Sequence, residues 1–218
     1  PPLVITDAIL TSSTVAEPDA GETAWVSGTT YAVGDIRIRT GVHRKYERLV
    51  AGAGTTAPEN DPINWLEVGS TNKWAMFDFI RNTRTTATGA ITVVLTPGRR
   101  VDAFALTGLV NVTSATVTVT SDAVVVYSRT DNLSTRYVDN YYDYAFKAFS
   151  TAPSDVHFDL PPYTNSVLTI TLTAVSGAAQ CGACVIGSQF FIGTTLANAT
   201  SDYLNFSSVT RDFAGAVN

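Results

Sequence analysis

Four large aromatics, Trp25, Tyr31, Tyr46 and Trp65, punctuate one short stretch that also holds Arg37, Arg39, Arg44, Lys45 and Arg48. Planar rings stack on sugar rings while polar neighbours orient the hydroxyls, as in most small-ligand sites. Glycan binding is therefore one chemistry these residues could perform. Burial is the other and the default, since each large ring removes about 150–250 Å² from water. The five cations are drawn from a total of 14 Lys and Arg, with only Asp35 and Glu47 opposing them nearby in sequence. Arg37 and Arg39, two apart, share one face of a strand. That face is either solvated or turned to an anion: a phosphate, an acidic glycan or an acidic neighbouring subunit.

A second aromatic cluster runs Tyr137-Val-Asp139-Asn-Tyr141-Tyr142-Asp143-Tyr144-Ala-Phe146-Lys-Ala-Phe149. Read as a strand, it puts Tyr142, Tyr144 and Phe146 on one face in part, but no register satisfies the whole run. Tyrosine is enriched at interfaces, so Tyr141, Tyr142 and Tyr144 are candidates for a subunit contact, with core packing as the default. Asp131, Asp139 and Asp143 could offer oxygens to calcium. Their spacing matches no calcium loop, and no metal or other cofactor is expected.

Catalytic chemistry finds little support. A Ser-His-Asp site needs a histidine held by a carboxylate against a nucleophile. The two histidines, His43 and His157, lie beside no nucleophile-elbow sequence. Asp122, Asp131 and Asp155 each sit alone in turn-like surroundings and read as solvated turn residues. No catalytic residue is named, and the chain reads as a non-enzyme. Cys181-Gly-Ala-Cys184 reads first as two buried structural thiols, with a disulfide or a metal site as alternatives.

The elements that must carry these residues are strands. The chain has 218 residues, 45% hydrophobic and 15% charged, which suits one or two ordered domains. Thr116-Val-Thr-Val-Thr120 and Val167-Leu-Thr-Ile-Thr-Leu-Thr173 alternate with period two. Ala90–Leu95, Val101–Leu106, Ala123–Tyr127, Cys184–Gly187 and Phe190–Ile192 add further strand-like runs, and Trp74–Asp78 is taken to open the series. Gly34-Asp35 reads as a hairpin turn, with Ile36 and Ile38 on a buried face behind it. The net charge of −5 argues against a general nucleic-acid binder. No apolar run approaches the roughly 18 residues of a membrane span. The opening Pro1-Pro-Leu-Val-Ile-Thr-Asp7 lacks the basic and apolar regions of a signal peptide, and the missing initiator Met reads as trimming.

Polar turn clusters at Glu17–Gly21 and Gly69–Asn72 divide the chain. The expected segments are 1–21, a first strand; 22–69, an inserted module; 70–195, the rest of a sandwich; and 196–218, a C-terminal arm. The opening strand is apolar and needs a sheet to cover it, which favours an insertion over two domains in series.

The order Trp25, Tyr31, Gly34-Asp35, Tyr46, Pro58, Trp65 resembles the small chitin-binding modules of bacterial chitinases and cellulases. In that family Trp25, Tyr31, Tyr46 and Trp65 match core positions, while the exposed platform's places here hold Leu49-Val50 and Gly52–Thr56. Thr11-Ser12-Ser13, Trp74 with Asp78, Ile91/Val93/Leu95, Val101–Leu106, Val117/Val119, Leu168/Ile170/Leu172 and Val185-Ile186-Gly187 resemble the series of a galactose-binding-like jelly roll. The insertion followed by Asn72-Lys-Trp-Ala-Met-Phe-Asp78, with Tyr203–Phe213 near the end, resembles bacteriophage tail proteins.

The expected fold is therefore all-β, a galactose-binding-like jelly-roll β-sandwich with a small inserted β-module. The resemblance implies a virion component of the tail tip or periphery, assembled in the host bacterial cytoplasm. It would be multimeric, with other tail subunits and possible host cell-surface polysaccharide as partners, and without nucleic-acid or membrane insertion. Tyr203, Phe206 and Phe213, on an arm beyond the sandwich, would join Tyr141, Tyr142 and Tyr144 at the subunit interface. The alternative is a secreted carbohydrate-binding accessory module of a glycan-degrading system.

Overall fold

The computed structural model describes residues 2–80, 82–135, 139–147 and 150–190. Tyr203, Phe206 and Phe213, and with them the expected arm, lie outside the described residues. In chain order the strands are β1 (Leu10–Ser13), β2 (Thr30–Tyr31), β3 (Ile36–Arg39), β4 (Arg44–Arg48) and β5 (Gly52–Ala53). There follow β6 (Trp65–Ser70), β7 (Thr85–Leu95), β8 (Ala103–Thr107), β9 (Ser114–Ser121) and β10 (Val124–Asn132). The last are β11 (Ser134–Thr135), β12 (Ser150–Thr151), β13 (Ser154–His157), β14 (Ser166–Cys181) and β15 (Ala183–Gly187). One short α-helix, α1 (Tyr141–Phe146), accompanies them. No helix among the described residues is long and apolar enough to cross a membrane.

The chain is all-β. Its main body is an antiparallel sandwich of a five-stranded sheet, in the order β1-β7-β14-β9-β10, over a three-stranded sheet, β13-β8-β15. Period-two alternation decides which faces meet. Register sets Leu168 opposite Leu95, Ile170 opposite Val93 and Leu172 opposite Ile91, with Ile170 also opposite Val117 on the other side. These residues are buried, and the threonines between them point outward. Phe104 and Leu106 of β8 and Cys184 and Ile186 of β15 close the same core. The β9–β10 hairpin turns through Asp122 and Ala123, both at positive φ (51° and 63°), the pattern of a two-residue turn that matches strand twist.

Strands β2 to β6, between β1 and β7 in sequence, form a small β-unit with its own core of Tyr31, Tyr46 and Trp65. Its strands make a two-stranded sheet, β2-β5, and a three-stranded one, β3-β4-β6. β1 pairs across it with β7, Leu10 opposite Leu95.

Several local expectations are corrected. Trp74–Asp78 does not open a strand, because Asn72–Phe77 is a 3₁₀ turn with Trp74, Ala75, Met76 and Phe77 all buried. Four consecutive buried residues contradict a strand's alternation. Asn72 fixes the turn against β7: its side chain donates to the Thr86 carbonyl (2.7 Å) and accepts the Thr86 N–H (2.9 Å). Gly34-Asp35 is a tight turn but not a hairpin, since β2 pairs with β5 and β3 with β4. Ile38 is buried, but Ile36 is 51% exposed. Tyr141–Phe146 is helix, not strand: the Asn140 side chain accepts the Asp143 N–H (2.9 Å), an N-cap bond. Phe190 is exposed and outside any strand.

Candidate functional site

In the inserted module the cations and aromatics interleave. The Arg37 guanidinium lies 5.0 Å from the Tyr31 ring centre, Arg39 5.0 Å from Trp25, and Arg48 5.0 Å from Trp65. Tyr31 meets Trp65 edge to face at 5.2 Å. The Tyr31 hydroxyl accepts the Val26 N–H (2.8 Å) and donates to the Val26 carbonyl (3.0 Å). Tyr31, Tyr46 and Trp65 are buried and present no ring face for a sugar. Their assignment as stacking residues is corrected accordingly: a ring already packed on both sides cannot also be a platform. Trp25 is half-buried beneath Arg39.

The basic cluster is also corrected as an open anion-facing patch. Besides the neighbouring Asp35, tertiary structure brings Glu22, Glu59 and Glu67, which sequence distance hides. Arg39 makes a bidentate pair with Glu59 (2.8–3.2 Å), Lys45 reaches Glu22 (3.0 Å), Arg44 reaches Glu67 (3.4 Å) and Arg37 reaches Asp35 (3.5 Å). The guanidinium of Arg39, donating to Glu59, holds that carboxyl below the ordinary glutamate range. Arg48 is buried on Trp65; its Nη2 donates to the Gly52 carbonyl (3.3 Å), and its Nε has no hydrogen-bond partner.

A polar joint ties this module to the sandwich. The Glu17 carboxylate, with its side chain only 6% exposed, accepts from Thr71 Oγ1 (2.7 Å), Trp74 Nε1 (3.0 Å) and His43 Nδ1 (2.9 Å). His43 stacks on Trp74 at 4.2 Å between centroids, and its Nε2 lies 3.0 Å from Asp7. His43 is thus a structural link between two parts of the chain.

A cluster of exposed aromatics is on α1. Tyr141 is 84% exposed, Tyr142 70%, Phe146 71% and Tyr144 63%. Neighbours at i+3 and i+4 pair up: Tyr141 with Tyr144 (6.4 Å) and Tyr142 with Phe146 (5.0 Å), as helix geometry dictates.

One cluster escaped the sequence reading. Tyr127, Arg129 and Asp131 of β10 stand opposite the buried Val119, Val117 and Ala115 of β9. Asp155 and His157 of β13 stand opposite the buried Leu106 and Phe104 of β8. All five therefore point to the side of the sandwich interior, where they form a polar seam. His157 Nε2 lies 2.8 Å from Asp155 Oδ1 and 3.0 Å from Asp131 Oδ2. Arg129 Nε donates to Asp131 (2.7 Å), and the Tyr127 hydroxyl donates to Asp159 (3.1 Å). The bond from Arg129 holds the Asp131 carboxyl below its ordinary range; burial, and then Asp159, push Tyr127 up. Asp155 is therefore not a solvated turn residue. Asp131 joins His157 instead of Asp139 and Asp143, which meet at the start of α1. The strand alternation held the signal, but only in light of which strands are partners.

Cys181 and Cys184 are free and buried. They flank the corner where the chain leaves one sheet for the other. A Cβ at Gly182 would sit 3.2 Å from the Gly108 Cα, so the close backbone approach favours glycine there.

No family model matches the chain, and no curated protein matches it. Among solved structures it is similar to CpGH89CBM32-5 from Clostridium perfringens, in complex with GalNAc-β-1,3-galactose, at 15% identity and a TM-score of 0.33. That likeness covers 53% of this chain and 83% of the other, and at that score it carries no functional weight.

Proposed function

We propose that this chain is a non-enzymatic bacteriophage virion component of the tail tip or periphery, serving assembly and host-surface attachment by binding alone. The observation that carries the reading is α1, a six-residue helix whose four aromatic rings are all largely exposed. A cluster of exposed rings costs solubility unless something covers it, and tyrosine-rich surfaces suit protein contacts. The likeness of Asn72–Asp78 to phage tail proteins supports the tail setting. Tyr31, Tyr46 and Trp65 do not compete for this role, because they are spent on the module's core.

Antibody labelling of purified particles tests the location, and chain-specific label absent from tails overturns it. The triple variant Tyr141→Ala/Tyr142→Ala/Phe146→Ala tests the surface. Its failure to enter particles marks a subunit contact; normal entry with lost adsorption to host cells marks the attachment face. Normal entry and normal adsorption overturn the role of α1.

A second reading, a secreted carbohydrate-binding accessory module, is favoured by the same rings with Asp139, Asn140 and Asp143 beside them, an arrangement of stacking faces and polar groups that suits a sugar. Binding of the isolated chain to soluble polysaccharide, together with absence from particles, would select it.

A further inference from the structure

We propose that Asp131, Asp155 and His157 form a binding site for a divalent first-row transition-metal ion that clips the two sheets of the sandwich together. One ligand atom from each residue lies within 4.8 Å of the others. The first argument is hydrogen-bond arithmetic. Nε2 of an imidazole carries at most one hydrogen, yet two anionic oxygens converge on it, at 2.8 and 3.0 Å. One proton serves one of them well; a cation at the point of convergence serves both.

The second argument is burial. The Asp155 side chain is only 8% exposed, and its Oδ2 is buried with no hydrogen-bond partner. An unpartnered carboxylate oxygen away from water is costly; Oδ1 is the atom at the point of convergence, and coordination by both oxygens of Asp155 would satisfy Oδ2 as well. The third is charge. Asp131, Asp155 and Asp159 share the seam with one guanidinium, Arg129, and one imidazole. With His157 neutral, a divalent ion would balance the surplus.

The geometry also selects the class of ion. An imidazole nitrogen disfavours calcium and magnesium, which take oxygen ligands, and suits zinc and its neighbours. With bonds of about 2.1 Å, adjacent ligand atoms lie about 3.0 Å apart around an octahedral ion and about 3.4 Å around a tetrahedral one. The observed 2.8 and 3.0 Å from His157 Nε2 to the two carboxylates are close to the first, and all three ligand atoms lie within 4.8 Å of one another. Asp159 lies 4.0 Å from His157 Nδ1, beyond hydrogen-bond reach but on the side from which a carboxylate commonly orients a ligating histidine.

The position gives the ion a purpose. β10 ends the five-stranded sheet and β13 ends the three-stranded one. The ion would join Asp131 on the first to Asp155 and His157 on the second, closing the open side of the sandwich at its edge strands.

The test uses the full chain after treatment with a chelator, titrated calorimetrically with zinc, manganese and calcium chlorides. Zinc is expected to bind one per chain and to raise the Tm. Asp155→Asn and His157→Gln are each expected to weaken zinc at least tenfold and to abolish the Tm rise. Pulsed electron paramagnetic resonance of the manganese-loaded wild-type protein should show one directly bound imidazole nitrogen, a readout that stands even if a variant fails to fold. Absence of one-to-one uptake of both zinc and manganese overturns the proposal. So does undiminished zinc affinity in either folded variant, or binding of calcium alone.

Discussion

At Trp65 a buried indole carries a buried guanidinium on its face, and the two make different predictions. Trp65→Ala removes a core ring from a unit with three buried core residues and should cost about 3–5 kcal/mol, measured as a drop in the module's denaturation midpoint. Arg48→Met should be neutral or stabilising, since replacing a buried charge by an apolar side chain of similar volume often is. Loss of stability in Arg48→Met equal to that of Trp65→Ala would mean the cation is essential to packing. Glu59 contributes through Arg39. Its folded pKa lies below the ordinary 4.5 because Arg39 donates to it. Its stabilisation is therefore complete above the unfolded value and disappears as pH falls through the folded one. Glu59→Gln should cost about 0.5–1 kcal/mol at pH 7, and the Tm difference from wild type should close in acid. A difference that persists in acid would assign the loss to packing. Burial pushes Cys181 up to about 12 and Cys184 well above its ordinary value. Neither thiol should react with a disulfide reagent at pH 8 in the native protein, because the thiolate is the nucleophile; both should react after denaturation.

The segment from β1 to the 3₁₀ turn at Asn72–Phe77 acts as one element held by Glu17. Three donors from two places in the chain converge on its carboxylate. Glu17→Ala would leave the Trp74 N–H, the Thr71 hydroxyl and His43 without that acceptor. Removing one member of a buried charged network costs about 3–5 kcal/mol. The expected outcome is a lowered unfolding midpoint with a red-shifted Trp74 emission in the native state, as the ring gains water. An unshifted spectrum and an unchanged midpoint would show that stacking of His43 on Trp74 suffices to hold the joint.

At the scale of the whole molecule, β1 pairs with β7 although the module lies between them. The module has its own core, and its ends leave the sandwich near Gly21 and return near Ser70. Replacing residues 22–69 by a short Gly/Ser link should leave a sandwich that unfolds cooperatively. It should be less stable than the parent, because Glu17 loses His43 and the Asn72 N–H loses Glu22. Calorimetry checks it: a broad transition without a cooperative peak would mean that the sandwich needs the module to fold.

What the sequence determined is the part that local periodicity controls. Alternation of Val and Thr in β9 and of Leu, Ile and Thr in β14 set both the strands and their buried faces, because a strand's side chains alternate whatever lies beside it. Partner choice is not periodic, and only the tertiary structure decided it. Glu59, Glu67 and Glu22 neutralise a cluster that looks bare in sequence, since folding brings together residues far apart along the chain. The run Trp74–Phe77 is a 3₁₀ turn because Asn72 is fastened to Thr86, a bond no window of neighbours reveals. Asp131 and His157 look like isolated polar residues until β10 and β13 become the facing edges of two sheets. Their common site depends on which strands sit opposite buried residues, and that is a property of the assembled sandwich.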